Sequence, residues 1–272
     1  MADLFTSLVA ISPNQSKVGG KQAERTPGTS PQMKDGIWNE RASTVGGYPK
    51  YTLGSSLNAA VQATFASTAG LDAHLVTSLA AGVVGWWKLD GNSTAAFGGY
   101  VGVDTSVTYA AAKINTGAVF TGGTSRIAVT SGPALGTVFS ISAWLFPTSN
   151  APSYGGIVSR SGVASGLFRR STTKLSLFDA ADHLSAGSVP ISTWTHVVLT
   201  SDGTSIRFYL NGALDTTTVY VPTSFTVGQF GSDTSNEGFI GTIDEVGCWT
   251  RAISLAEVQA LYNTGTGIQY PF

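Results

Sequence analysis

Three histidines, one cysteine and sixteen acidic residues hold most of the reactive chemistry in this 272-residue chain. Hydrolysis of a glycosidic bond with retention needs two carboxyls about 5 Å apart. The nearest approach in sequence is Asp244-Glu245, and neighbours in a strand point to opposite faces. Strict alternation groups Asp244 with Val246 and Cys248, so Asp244 is expected to face inward and to need hydrogen-bond donors or a cation. A nucleophilic triad must recruit His74, His183 or His196. His196 sits among apolar strand residues where packing explains it, and His74 has no second ligand at a metal spacing. Arg207 and Tyr209 share a face with His196, the one grouping that polysaccharide-lyase chemistry could use. Asp179 and Asp182 lie in turn-like sequence and read as solvated loop acids. Sorted by role, these residues point away from catalysis, and the chain is expected not to be an enzyme.

Recognition of a sugar asks for different residues: an aromatic face for the ring's C–H surface, with amides and carboxylates beside it for the hydroxyls. Tyr154 in NAPSYGG and Phe230 in VGQFGSDTSN stand in loop-like sequence, with Asp233 and Asn236 close to the second. These four are the candidate glycan contacts. Trp86, Trp87, Trp144, Trp194 and Trp249 fall within or at the edges of strand patterns and read as core.

The elements that must position these residues are mostly strands. Charged residues make up only 11% of the chain and glycine is abundant at 33, which favours short strands joined by tight turns. The class is all-β. VVGWWKL (83 to 89) runs into the turn Asp90-Gly91-Asn92. GAVFTGG and RIAVTS (117 to 131) read as a hairpin. FSISAWLFP (139 to 147) places Ile141, Ala143 and Leu145 on one face. THVVLTSDGTSIRFYLNGALDTTTV (195 to 219) reads as a three-stranded meander turning at Asp202-Gly203 and Asn211-Gly212. Its inward face carries Val197, Leu199, Ile206, Phe208 and Leu210, with His196, Arg207 and Tyr209 opposite. Ser254-Leu-Ala-Glu257 is a capping box, and Leu255, Val258, Leu261 and Tyr262 form one apolar helical stripe that Gly265 can end.

The first third of the chain reads differently. Residues 1–54 are broken by Pro13, Pro27, Pro31, Pro49 and paired glycines, the composition of an extended arm that needs a neighbour to hold it. From 55 to 82, Leu57, Val61 and Phe65, then Leu71, Leu75, Val76 and Leu79, recur at helical spacing and predict a short helical connector.

Four segments, in order, resemble the LamG-like jelly roll of the concanavalin A-like lectin/glucanase superfamily: WWKLDGN (86 to 92), FSISAWLFPTS (139 to 149), STWTHVVLTSDGTSIRFYLNG (192 to 212) and GFIGTIDEVGCWTRAISLAEVQALY (238 to 262). The resemblance covers residues 83–272. It implies a two-sheet antiparallel jelly-roll sandwich with one short C-terminal helix, and a habit of binding glycans or proteins at a surface. Some members hold calcium near the rim or on the back of the sandwich. The matching positions are Asp90 and Asp244, with Asn92 near by, only part of the oxygen shell that calcium wants. No cofactor is required, and calcium is the cation to test.

Formal net charge is −1 and the pI near 6.3, so no overall field recruits nucleic acid or an anionic membrane. No apolar run reaches the roughly 18 residues of a spanning helix, and the opening residues lack a signal-peptide pattern. Cys248 stands alone, which excludes an intrachain disulfide and reads as a buried small hydrophobe. Together these features lead to the expectation of a homo-oligomeric virion subunit, a bacteriophage capsid decoration or fibre-type protein. Residues 1–54 would anchor it to other capsid subunits and the jelly roll would be displayed outward, able to meet a cell-surface glycan. The alternative is a bacterial surface or extracellular carbohydrate-binding or adhesion module.

Overall fold

The computed structural model describes residues 78–272, together with residues 32–34, 37–39, 44–45 and 48–49. The chain divides into two units, Met1–Asp72 and Ala73–Phe272. In the first, β1 (Gln32–Lys34) pairs antiparallel with β2 (Ile37–Asn39), and β3 (Thr44–Val45) with β4 (Tyr48–Pro49). Both short hairpins fall within the stretch read as an arm. The rest of that stretch, His74 and most of the expected helical connector lie outside the described residues. Residues 78–80 are helical.

The second unit is a sandwich. Its strands are β5 (Val83–Trp87), β6 (Gly102–Thr105), β7 (Thr108–Ala111), β8 (Thr116–Thr121), β9 (Arg126–Val129), β10 (Ala134–Gly136), β11 (Val138–Pro147), β12 (Tyr154–Arg160), β13 (Gly166–Arg170), β14 (Lys174–Phe178), β15 (Asp182–Ser188), β16 (Thr195–Asp202), β17 (Ser205–Leu210), β18 (Ala213–Val219), β19 (Phe225–Phe230) and β20 (Ile240–Trp249). The front sheet runs β15-β14-β13-β12-β19-β9-β6, with β10 also on β19. The back sheet runs β18-β17-β16-β11-β20-β8-β7, with β5 also on β20. All of these strand pairings are antiparallel.

Alternation builds the core between the sheets. Phe139, Ile141, Ala143 and Leu145 of β11, Val197 and Leu199 of β16, and Ile206 and Phe208 of β17 meet Leu167, Leu175, Leu177, Phe225 and Val227 from the front sheet. At about 1.5–3 kcal/mol for each large apolar side chain removed from water, this layer is the main favourable contribution to stability. The meander forms as expected. Asn211 and Gly212 both take positive φ, at 49° and 78°, the pair that a two-residue hairpin turn requires.

Two expectations are corrected. The segments at 117–131 are not a hairpin: β8 pairs with β20 and β7 in the back sheet, whereas β9 pairs with β19 and β6 in the front sheet. The turn between them crosses the sandwich, and a turn motif does not record which partners its flanking strands will take. Asp244 does not face inward. Glu245 has a φ of 49°, and the register passes from Ser142↔Gly247 to Trp144↔Asp244. This is a β-bulge, and its extra residue resets the alternation. Ile243, Val246 and Cys248 point into the core, and Asp244 is aligned with Trp144 on the outer face.

That outer face of the back sheet is covered. The C-terminal helix (Leu255–Tyr262) begins at the expected Ser254–Glu257 capping box and ends at Asn263 in left-handed conformation, before Gly265. Val258 and Leu261 pack with Leu79, Val83, Trp86, Val198, Tyr209, Trp249 and Ile253, joined by Ile268, Tyr270 and Phe272 of the tail. Leu255, expected in the apolar stripe, is exposed. Buried Glu257 completes the helix face instead, pairing with Arg251 at 2.6 Å and accepting a hydrogen bond from Ser78.

Candidate functional site

The histidine grouping is assembled but sealed. His196 is 1% exposed. Its Nε2 lies 2.9 Å from Ser142 Oγ, and its Nδ1 has no partner among the described residues. Burial pushes the imidazole down to about 3, so it stays neutral. Tyr262 of the helix stacks 6.1 Å from the His196 ring, Trp144 lies 5.1 Å from it, and Lys113 rests 4.5 Å over Trp144. Ser142 and Tyr209 are buried as well. Arg207 is held by Asp202 at 2.6 Å in the β16–β17 turn. A Ser–His contact with no carboxylate behind it, closed off by a helix, lacks the orienting group and the access that acyl or glycosyl transfer requires.

A second grouping lies beneath the tail. Because of the bulge, Asp244 and Glu245 both come to the outer side, near Asp90. Glu245 accepts from the Trp86 indole N–H at 2.6 Å and from the Gln269 amide at 2.6 Å. The same amide nitrogen donates to Asp90 Oδ2 at 2.9 Å, and Asp90 also accepts from Thr116 N and Asn115 Nδ2. Asp244 Oδ2 accepts from Ile114 N at 2.8 Å, while Oδ1 has no partner among the described residues. Burial, with repulsion from Asp90, raises Asp244 to about 7, and burial, with repulsion from Asp244 and Asp90, raises Glu245 to about 8.

These carboxylates do not fit a resident calcium ion in this arrangement. The Gln269 nitrogen occupies the bridging position between Asp90 and Glu245, and an N–H donor there excludes a cation sharing both. Asn92 is used locally: its amide donates to Asp90 O, and its Oδ1 accepts from Thr94 N. Among the described residues no group of three or more ligating side chains has metal geometry. Asp90 and Asn92 instead line an open cleft of about 290 Å³ with Lys88 and Thr94.

The front sheet's outer face carries the third grouping. Leu167, Leu175 and Leu177 point to the core, so alternation turns Phe168 and Arg170 of β13, and Ser176 and Phe178 of β14, to the outer side, where Phe168 and Ser176 are nonetheless buried by their neighbours. Tyr154 stands opposite Arg170, and Phe178 opposite Asp182. The Arg170 guanidinium lies 3.8 Å over the Tyr154 ring, whose edges pack on Phe168 and Phe178. Asp182 ties the group together. Its Oδ1 accepts from Ser176 Oγ at 2.6 Å and its Oδ2 from the Tyr154 hydroxyl at 3.1 Å, with Arg170 Nη1 3.3 Å away. Burial and the Asp182 charge raise the Tyr154 phenol, keeping it a donor. The loop after β19 borders this platform: Glu237 O accepts from Gly156 N, and Glu237 Oε2 from Tyr154 N. Gly156 allows the approach, since a Cβ there would lie 2.7 Å from the Ser232 backbone.

Of the four expected glycan contacts, Tyr154 is on this platform and Asn236 is an exposed turn residue with φ of 64°. The other two are corrected. Phe230 is 0% exposed and packs on Trp87 in the core, because β19 runs further than its glycine-rich sequence indicates. Asp233 is buried, its Oδ1 accepting from Ser235 N and Glu237 N to cap the loop. Nor are the two loop acids both free. Asp179 is buried against Arg160 at 2.7 Å. Burial alone would raise it, but donation from Thr223, the Arg160 charge and Tyr220 outweigh that and hold it below the usual carboxylate range. Asp182 is the hub of the platform. Arg170 was missed in the sequence, where its one signal was an outward position at the end of the strand GLFRR.

An antiparallel two-sheet jelly roll with a helix-covered back and a front that leaves Tyr154, Arg170 and Asp182 partly exposed is a sandwich of the concanavalin A-like kind. Residues 121–259 match the model of a laminin-G-type family described as the concanavalin A-like lectin/glucanases superfamily, and the chain belongs to it. Similar solved structures share the fold. Domain 4 of AbnA, a GH43 extracellular arabinanase from Geobacillus stearothermophilus solved in complex with arabinotriose, is 20% identical with a TM-score of 0.52, over 65% of this chain and 96% of that one. Trypanosoma rangeli sialidase is 14% identical with a TM-score of 0.53, over 70% of this chain and 34% of its own. The binding domain of Paraclostridial Mosquitocidal Protein 1 is 15% identical with a TM-score of 0.54, over 70% and 53%. This chain thus spans about a third of the sialidase and half of the toxin domain. No curated protein sequence matches it.

Proposed function

We propose that this protein is a non-enzymatic glycan-binding module working at a cell surface or outside the cell, with its binding face on the front sheet around Tyr154, Arg170 and Asp182. The observation that carries the reading is the asymmetry of the sandwich. The back face is closed by the C-terminal helix and tail, whereas the front presents a fixed aromatic-guanidinium stack with polar groups around it. Rigid aromatic surface beside convergent polar groups is what a sugar ring needs. Family membership supports the same reading, as does the arabinotriose bound to a domain of similar fold. Attachment to a virus particle through residues 1–54 rests on the sequence alone; it gains no support from the family or from these structures, and most of those residues lie outside the described set.

The full-length protein, applied to a panel of immobilised plant, microbial and animal glycans, should retain at least one class. Tyr154→Ala should remove that retention while leaving the urea midpoint nearly unchanged. It should release no reducing ends from any glycan it binds. A protein that binds nothing on the panel, or whose binding is indifferent to Tyr154, would overturn the proposal.

A further inference from the structure

We infer that the front platform selects acidic glycans, with the Arg170 guanidinium seating a sugar carboxylate; the inference rests on the glycan-binding reading above and adds the ligand's class. The argument is a census of donors and acceptors. Both Asp182 oxygens already accept hydrogen bonds, Oδ1 from Ser176 and Oδ2 from Tyr154, with the Arg170 charge beside Oδ2. Arg170 has five N–H donors. Among the described residues it donates no side-chain hydrogen bond: Nη1 is buried 3.3 Å from Asp182 as an ion pair alone, and Nε and Nη2 meet no acceptor. The pairing Arg169↔Leu175 sets Lys174 opposite Arg170 across the turn at residues 171–173. Lys174 is partly exposed and has no hydrogen-bond or ion-pair partner among the described residues. The turn itself adds the hydroxyls of Ser171, Thr172 and Thr173.

This end of the platform therefore offers unmatched donors and two cations, while its acceptor is occupied. The other bordering acid, Glu237, lies on the far side of β12, at the Tyr154 backbone, with β13 and β12 between it and Lys174. A neutral sugar presents hydroxyls that the Ser171, Thr172 and Thr173 hydroxyls can meet, but it gives the two cations no charge to pair with. A carboxylate brings acceptors only, and its planar pair of oxygens matches the guanidinium fork. Stacking on Tyr154 already fixes the guanidinium plane, which lowers the ordering cost of binding.

The test uses the full-length protein with trigalacturonate, its methyl ester and arabinotriose, titrated calorimetrically at low and high salt. Trigalacturonate should bind at least about tenfold more tightly than its ester, and salt should weaken it. Arg170→Lys, which keeps the charge but loses the fork, should cost about tenfold on trigalacturonate, and Lys174→Gln about threefold. Circular dichroism of both variants should match the parent. If the ester or arabinotriose binds as well as the acid, and Arg170→Lys changes nothing, the acidic assignment is wrong while glycan binding stands. If none of the three binds but the panel yields a neutral glycan, the assignment is again wrong. An empty panel removes both readings.

Discussion

Replacing Asp244 with Asn should make the protein more stable than the parent, with a gain that grows from about pH 4 to about pH 7 and vanishes only below about pH 4. Asp244 and Glu245 are raised by burial, then by Asp90 in both cases and by Asp244 in the case of Glu245, to about 7 and about 8 from ordinary values of 3.8 and 4.5. A carboxyl raised in the folded state contributes stability that is full below its unfolded value and is lost as pH rises through the folded one. Above pH 6 about one unit of this loss remains for Asp244 and about two for Glu245. At about 1.36 kcal/mol per unit, the parent should lose roughly 4 kcal/mol between pH 6 and pH 9. That is a ceiling, because the Glu245 shift contains Asp244's repulsion and the two titrate as a coupled pair. In the variant the amide oxygen still accepts from Ile114 N, and the NH₂ takes the position of Oδ1, which has no partner to lose. Removing one charge also relieves Glu245, so the fall should shrink by at least about a third. The assay is urea unfolding followed by tryptophan fluorescence at pH 5, 6, 7, 8 and 9, with Trp86 beside Glu245 as a local reporter. Parent stability that is flat or rises from pH 6 to 9 would refute the reasoning. So would a variant destabilised equally at every pH.

Three further outcomes are expected. Phe230→Ala opens a cavity against Trp87 and should cost about 3–5 kcal/mol in urea unfolding, whereas a rim residue would cost almost nothing. Glu257→Ala removes the capping-box carboxylate and leaves Arg251 without its partner, so stability should fall by about 3 kcal/mol and the C-terminal helix should exchange its amides faster. Added calcium should leave the melting temperature where a chelator leaves it, since Gln269 holds the bridging position between Asp90 and Glu245; a rise of several degrees would show that the tail rearranges to admit the ion.

Much of the sandwich is legible in the sequence because its longest signals are periodic. Alternation in 139–147 and 195–219 places each inward residue correctly, and the Ser254–Glu257 spacing marks the helix start. What fails are single-residue departures from period. The left-handed Glu245 inverts Asp244 and brings two adjacent acids to one side. Gly228 hides the strand that buries Phe230, and the turn after β8 conceals a change of sheet. The site is harder to read because its parts belong to four strands. Tyr154, Arg170, Ser176 and Asp182 span 28 residues of sequence, and only pairing register brings a tyrosine ring, a guanidinium and a carboxylate into contact. No local motif encodes that register. The closure of the back face is equally non-local, since it depends on the tail returning to Trp86 and Glu245.

The most direct test of the account is amide hydrogen exchange of the full-length protein with and without a saturating amount of the tightest glycan from the panel. Protection is expected over residues 154–160, 166–178 and 182–188, with the C-terminal helix and the strand at 240–249 unchanged. Protection confined to the helix-covered back face, or to the cleft at Lys88–Ala96, would contradict the assignment of the front sheet as the binding face.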